Sequence, residues 1–168
     1  MTDADFLNAF RDHKDTVYRV AYRMTGSSSA AEDVVQDCFV IFWRKPEAYH
    51  PDRGALRAFL LGVARKLILK RWRRERQDEA LTEAMEDESY ACRPFDLAEQ
   101  ERAETVKQAV LLLPPLQREA LILAEYEELS IEEIAAATGA EIPAVKSRLH
   151  RARGNLRQML EPLFAMER

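Results

Sequence analysis

Residues 130–153 constrain the fold of this chain more than any other stretch. Ser130 and Glu133 stand three residues apart, which is the spacing of a capping box at the start of a helix. Gly139 suits the positive φ of a helix end, and Pro143 is tolerated only in the first turn of a helix. These signals predict a short helix, a turn and a second helix that begins one residue before Pro143. This pattern is typical of a helix-turn-helix, whose second helix enters the major groove of DNA.

The predicted second helix has one apolar face and one basic face. Its apolar residues recur with the spacing of a single buried stripe: Val145, Leu149, Ala152 and Leu156. We predict that base edges are met by four residues on the exposed side, Lys146, Ser147, His150 and Arg151. Arg148 and Arg153 lie on the flanks and suit phosphate contacts. A solvated helix that packs against another domain is the alternative explanation of this pattern.

The charge of the chain is unevenly distributed. The formal net charge of −4 over 168 residues would by itself argue against a nucleic-acid binder. However, residues 65–76 contain seven Lys and Arg against one acid, whereas residues 78–104 contain ten acids against two Arg. The net charge is therefore a poor guide to the partners of this chain.

The sequence also excludes several classes of protein. No apolar run approaches the roughly 20 residues of a membrane span, and the first ten residues lack a signal-peptide core. We therefore expect a cytoplasmic protein without membrane insertion. No nucleophile–base grouping, phosphate loop or metal-ligand spacing occurs, so we expect no enzymatic activity, no cofactor and no metal. Of the two cysteines, Cys38 is expected in the core and Cys92 in a polar linker.

Helical periodicity dominates the rest of the chain. Further helices are predicted over residues 3–24, 30–44, 55–77, 97–113 and 116–126. Apolar sides that should face the core are predicted on two of them: Phe6, Leu7, Phe10, Val17, Tyr18, Ala21 and Tyr22 on the first, and Leu56, Phe59, Leu60, Val63 and Leu67 on the third. Ser29 and Glu32 form a second predicted capping box, and Pro114-Pro115 interrupts the later helices. We predict an all-α fold of two small domains, residues 1–77 with three or four helices and residues 97–168 with the helix-turn-helix. An acidic linker over residues 78–96 joins them.

Both halves of the chain resemble one family, the bacterial RNA polymerase sigma factors of the extracytoplasmic-function (ECF) group. In the C-terminal half the resemblance to region 4 is clearest in LPP at 113–115, VKSRL at 145–149 and RAR at 151–153. In the N-terminal half the resemblance to region 2 lies in AEDVVQDCF at 31–39, LRAFL at 56–60, VAR at 63–65 and WRR at 72–74. The resemblance implies a non-enzymatic initiation factor that binds core RNA polymerase, directs it to a two-part promoter and assists promoter opening. It also implies control by an anti-sigma factor.

The resemblance assigns roles to named residues. The second helix of the helix-turn-helix would read the duplex −35 element. A polar face on the second helix of the chain would bind core polymerase through Glu32, Asp33, Gln36 and Asp37. The melted −10 strand would follow Arg65, Lys66, Lys70, Arg73 and Arg74, with Trp72 available for base stacking. The loop over residues 45–54 would capture a flipped −10 base, with Tyr49, His50 and Asp52 as candidates.

The chain departs from the family pattern at several positions. Lys66 and Lys70 stand where the family often has Asn and Asp, which predicts stronger and more salt-dependent backbone binding. Ala144 replaces a common Thr, and no Ser precedes Pro143, which predicts a shifted or relaxed −35 preference.

Three questions stay open from sequence. The acids of the linker either mimic nucleic acid in a basic channel or form a soluble spacer. The chain could also act as a regulator that works without polymerase, joining a helix-turn-helix to a sensor domain. Alternatively, it could be an adaptor that engages polymerase without reading promoters.

Overall fold

The computed structural model of the chain describes residues 1–77 and 102–165. All regular elements in these two ranges are helices, as predicted, and the chain divides into an N-terminal and a C-terminal compact unit. No helix in the described ranges combines the length and apolar character needed to cross a membrane. The predicted acidic linker and Cys92 lie outside the described residues.

Within residues 1–77, the first unit consists of three helices that pack against one another in pairs. They are α1 (Asp3–Thr25), α2 (Ser28–Arg44) and α3 (Leu56–Gln77). Two short 3-10 turns, Pro46–Ala48 and Pro51–Arg53, occupy the connection between α2 and α3.

Local hydrogen bonds set the ends of α1 and the start of α2. The Asp5 carboxylate accepts from the backbone N–H of Thr2 at 2.9 Å and from its hydroxyl at 2.7 Å, and these bonds lower the pKa of Asp5. Gly26 follows Thr25, the last residue of α1, and its φ of +70° favours glycine. The hydroxyl of Ser27 then accepts from the N–H of Ala30 at 3.2 Å and caps α2.

The predicted capping box of Ser29 and Glu32 is therefore wrong. Helix α2 begins at Ser28, and Ser29 already lies within its first turn. The physical reason is the tight turn at Gly26, which leaves the next residue, Ser27, in the extended conformation that an N-cap requires.

The core of the first unit lies where α1, α2 and α3 meet. Its most deeply buried side chains come from all three helices and include Val17, Ala21, Met24, Ala31, Val34, Cys38, Leu60, Leu61, Ala64 and Ile68, each at most 4% exposed. The thiol of Cys38 donates to the carbonyl of Leu60 at 3.4 Å, and burial raises its pKa to about 12. Cys38 is therefore a protonated core residue, which confirms its predicted place.

The buried faces predicted for two of the helices need correction. Leu7 was expected on the apolar side of α1, but it is 63% exposed. On α3 the prediction included Leu60, which is buried, but it missed Leu61, Ala64, Ile68 and Leu69, which are also buried. The first half of α3 is apolar on most of its circumference, so its periodicity does not define a single face.

The second unit, as far as residues 102–165 describe it, consists of four helices and one π-helical turn. They are α4 (Arg102–Leu112), α5 (Pro115–Leu121), the π turn (Ile122–Tyr126), α6 (Ile131–Thr138) and α7 (Ile142–Ala165). Helix α7 packs against both α4 and α5. The helix predicted over residues 116–126 is thus an α-helix that changes to a π turn after Leu121.

The two prolines separate α4 from α5 as predicted. Pro114 is the N-cap of α5 and Pro115 its first residue, a position where a missing N–H costs nothing. The guanidinium of Arg118 donates to the carbonyl of Leu111, in the last turn of α4, and to that of Leu113, just after it. It thereby satisfies carbonyls at the C-terminal end of the helix.

Candidate functional site

The helix-turn-helix forms through the local signals that predicted it. The N–H of Ser130 donates to the Glu133 carboxylate at 2.8 Å, and the N–H of Glu133 donates to the Ser130 hydroxyl at 3.1 Å. Gly139 has a φ of +68° between α6 and α7. Helix α7 begins at Ile142, so Pro143 falls in its first turn. The predicted capping box, turn and helix start are confirmed.

Helix α7 separates an apolar stripe from a basic face. Three of the four predicted inward residues, Val145, Leu149 and Ala152, are at most 3% exposed, and Leu156 is half-buried. The four predicted base-reading residues are all exposed: Lys146, Ser147, His150 and Arg151. Arg148 is half-buried on one flank of this face. The exposed face carries hydrogen-bond donors that suit guanine edges and phosphates.

Arg153, on the other flank of this face, is engaged in an ion pair. Its Nη2 atom lies 2.7 Å and its Nε atom 3.0 Å from Oε1 of Glu125, in the π turn that follows α5. Both side chains are about half exposed. Arg153, which was predicted to contact a phosphate, therefore binds a carboxylate in this structure.

A stripe of cations runs along the exposed side of α3. Lys66, Lys70, Arg73 and Arg74 follow one another at the helical spacings i, i+4, i+7 and i+8, and all four are exposed. Arg65, the fifth predicted −10 contact, is half-buried one residue before the stripe. Trp72 is also half-buried and lies on nearly the opposite side of the helix from Lys70. The fold thus brings four of the five predicted cations together on one side of α3. Trp72, predicted to stack on bases, lies away from that side.

Arg71, beside this stripe, is held by two carboxylates. Its Nη1 atom lies 3.3 Å from Oδ2 of Asp33 on α2, and its Nε atom lies 3.0 Å from Oε1 of Glu75. The contact with Asp33 joins the cationic side of α3 to the predicted polymerase-binding face of α2.

The predicted polymerase-binding residues form one exposed face of α2. Glu32, Asp33, Gln36 and Asp37 are exposed on adjacent turns. Two of them, Glu32 and Gln36, together with Val35 line an open groove whose other wall is α1: Lys14, Asp15 and Tyr18. Within the described ranges no group of three His, Cys, Asp or Glu side chains is arranged to hold a metal ion.

The loop that carries the predicted base-capture residues is ordered by its two 3-10 turns. The ring of Tyr49 packs against Phe59 of α3 with centroids 5.5 Å apart, and Tyr49 is half-buried. His50 and Asp52 are exposed. Of the three candidates, two therefore present their side chains to solvent and one supports the loop.

Sequence reasoning missed two contributions to these surfaces. The first is Glu125, which lies in a segment predicted as an ordinary helix. The second is the α1 wall of the groove, including Tyr18, which was expected to be buried but is half-buried. The polar residues Lys14 and Asp15 between the apolar positions of α1 were the available signal for the second contribution. No signal in the sequence connects Glu125 with Arg153.

Comparisons with known proteins agree with this architecture. Residues 9–77 match the family model of Sigma-70 region 2, and residues 103–156 match that of Sigma-70, region 4. The chain is 37% identical over 158 residues to the ECF RNA polymerase sigma factor SigE of Mycolicibacterium smegmatis, covering 89% of this chain but 59% of that protein. It is 31% identical over 158 residues to the RNA polymerase sigma-E factor of Streptomyces avermitilis, covering 94% of this chain and 86% of that protein.

A solved structure shows the same fold. The sigma factor RpoE of Bartonella quintana, crystallised with the anti-sigma factor NepR, superposes with a TM-score of 0.73 and 27% identity. The match covers 94% of this chain and 97% of that one. The chain belongs to the ECF group of RNA polymerase sigma factors, non-enzymatic initiation factors that bind core RNA polymerase and direct it to promoters.

Proposed function

We propose that this sigma factor divides promoter recognition between its two basic helices. Helix α7 reads the −35 duplex, and the cationic stripe of α3 holds the melted −10 strand, while the α2 face binds core polymerase. The observation that carries the proposal is the exposed face of Lys146, Ser147, His150 and Arg151 on the second helix of a helix-turn-helix.

The proposal for α7 follows from hydrogen-bond chemistry. Lys146 and Arg151 supply donors for guanine O6 and N7, and the hydroxyl of Ser147 can donate or accept. Arg148 suits a phosphate on its flank. Ala144 is half-buried at the start of the helix and offers no hydroxyl there, which supports a −35 preference different from that of relatives with Thr.

The proposal for α3 follows from the geometry of its stripe. Lys66 and Arg74 are eight residues apart, which corresponds to about 12 Å along the helix axis, enough to follow a few phosphates of a single strand. Because aromatic stacking from Trp72 is not available on that side, binding there rests mainly on charge and depends on salt. His50 and Asp52, in the exposed part of the loop over 45–54, are the proposed residues for a flipped −10 base.

The proposed polymerase contact uses the α2 face and the groove beside it. Glu32, Asp33, Gln36 and Asp37 present carboxylates and an amide to a basic helical surface of the partner. Lys14 and Tyr18 on the α1 wall would add a cation and an aromatic ring to the same contact.

The proposal also includes one further partner, a cellular location and the bounds of the functional domains. An anti-sigma factor is proposed because the structural relative RpoE was crystallised with one. The cytoplasm is the proposed location because polymerase and promoters are found there. Residues 1–77 and 97–168 are proposed as the two functional domains, with residues 78–96 as the tether between them.

Run-off transcription with core polymerase on a randomised promoter library tests the proposal. We expect enrichment of two sequence elements at a fixed spacing, and loss of transcription when this chain is left out. Binding of a selected promoter should be much tighter with core polymerase than without it. Tight DNA binding without any polymerase contact would instead favour a regulator that works alone. Polymerase binding without an enriched −35 element would favour an adaptor.

A further inference from the structure

The ion pair of Arg153 and Glu125 joins the recognition helix to the π turn. Two guanidinium nitrogens of Arg153 contact one oxygen of Glu125, at 2.7 and 3.0 Å. Glu125 reaches this position from the π turn over Ile122–Tyr126, which interrupts the regular advance of side chains after α5. The two residues are 28 positions apart, so only the fold brings them together.

Arg153 lies on the edge of the proposed DNA-reading face. It follows Lys146 by seven residues, nearly two helical turns, so both side chains leave α7 in almost the same direction. The buried stripe of Val145, Leu149 and Ala152 lies on another side of the helix. A phosphate that approaches Lys146 along this edge would therefore next meet Arg153.

The carboxylate of Glu125 binds the edge of the Arg153 guanidinium that would contact such a phosphate. It accepts the donors with which Arg153 would bind a phosphate oxygen, and its own negative charge repels the DNA backbone. The pair is formally neutral, so it releases no counterions when DNA binds. Since both partners are about half exposed, the pair contributes little to the stability of the fold.

We propose that Glu125 limits the affinity of the recognition helix for DNA by withholding Arg153 from the phosphate backbone. The inference rests on the proposed role of α7 in binding the −35 duplex. It adds Glu125 as a residue that sets the strength and the salt dependence of that binding, although it lies outside the helix-turn-helix.

Salt titration of holoenzyme binding to a −35 duplex tests this proposal. The probe is a labelled duplex that carries a −35 element selected in the promoter library. Glu125→Gln should bind it several-fold tighter than the wild type at low salt, and the plot of log K against log salt should steepen by about 0.9. The ratio of its affinity to that of the wild type should fall about 3.5-fold between about 50 and 200 mM salt, as expected for one added phosphate contact.

Two variants complete the test. The double variant Glu125→Gln with Arg153→Gln should return to the wild-type slope, because both charges are then absent. Glu161→Gln, an equal charge change at an exposed position eight residues beyond Arg153 on α7, should leave the slope unchanged. Thermal unfolding of each variant checks that it is folded.

Three results would overturn the inference. If Glu125→Gln binds no tighter and keeps the wild-type slope, the pair does not face DNA. If Glu125→Gln binds more weakly, the ion pair positions α7 for binding and does not limit its affinity for DNA. A wild-type holoenzyme that does not distinguish the −35 duplex from a scrambled one would overturn the proposed function itself, and this inference with it.

Discussion

Helices α3 and α7 are alike in length, although α3 carries eight Lys and Arg and α7 carries five. Their sequences differed in how well they predicted which side of each helix is buried. The apolar residues of α7 keep to one stripe, and three of the four predicted inward positions are buried. The first half of α3 is apolar on most sides and packs against both α1 and α2, so four buried residues were missed. Periodicity therefore predicts the orientation of a helix only where a polar side continues along its length.

The two helices also differ in how their cations are neutralised. On α3, Arg71 is shared by Asp33 and Glu75, while the four cations of the stripe are exposed. On α7, the paired cation Arg153 lies on the edge of the proposed reading face itself. Charge counted along the sequence thus overstates the positive charge that each helix offers to DNA.

The largest effects are expected from cavities in the two cores. Ile68→Ala in α3 and Ile134→Ala in α6 each remove a fully buried side chain and should cost about 2–5 kcal/mol of unfolding free energy. Both tryptophans lie in the first unit, so their fluorescence reports its unfolding by urea, while circular dichroism reports both units. We expect Ile68→Ala to move the unfolding transition seen by fluorescence to lower urea concentration. Ile134→Ala should move only a transition seen by circular dichroism. Leu7→Ala, at an exposed position, is the control.

Coincident shifts by both probes in both variants would contradict the separation into two units. A change of more than about 0.5 kcal/mol in Leu7→Ala would show that this exposed side chain has a packing role.

Charge reversal separates the proposed roles of the two helices. Lys146→Glu with Arg151→Glu should lower the affinity for promoters with an intact −35 element by about 100-fold or more. These promoters should then be transcribed no better than promoters with a scrambled −35 element. Lys70→Glu with Arg74→Glu should lower transcription from all promoters alike. Run-off transcription on promoters with intact and scrambled −35 elements measures both. An equal loss on both promoter types for the α7 variant would rule out sequence reading by that helix.

A smaller effect is expected at the turn before α6. Glu128 has a φ of +55°, which costs a residue with a side chain roughly 1 kcal/mol relative to glycine. Glu128→Gly should therefore raise the unfolding free energy by about that amount. Gly139→Ala is the matched opposite, since a Cβ there meets no atom within 4 Å and only the φ of +68° opposes it. Urea titration should show opposite shifts, and shifts in the same direction would refute the backbone explanation.

The smallest effect distinguishes a paired from an exposed cation on α3. Lys70→Gln should reduce the salt slope for binding a −10 single strand by about 0.7, whereas Arg71→Gln should reduce it less, because Asp33 and Glu75 already neutralise Arg71. Neither change should alter stability by more than about 1 kcal/mol. Filter binding of holoenzyme to a −10 strand over a salt series measures the slopes. Equal reductions would mean that Arg71 leaves its carboxylates when DNA binds.

The ends of the helices were predictable wherever they depend on nearby residues. Ser130 and Glu133 cap α6 across three residues, Gly139 ends it, and Pro115 begins α5. The same reasoning failed at Ser29, because three serines follow Gly26 and only the turn itself selects Ser27 as the cap. The π turn after Leu121 was also not predictable, since its residues favour an ordinary helix as well.

The sequence by itself determined an all-helical chain, a helix-turn-helix with its basic face, and the family, because each depends on local spacing or on short motifs. The tertiary structure alone decided which charges meet. Arg71 reaches Asp33 across 38 positions and Arg153 reaches Glu125 across 28, and the groove at α2 needs α1 as its second wall. Such contacts depend on how helices pack in three dimensions, and the spacing along a single helix carries no information about them.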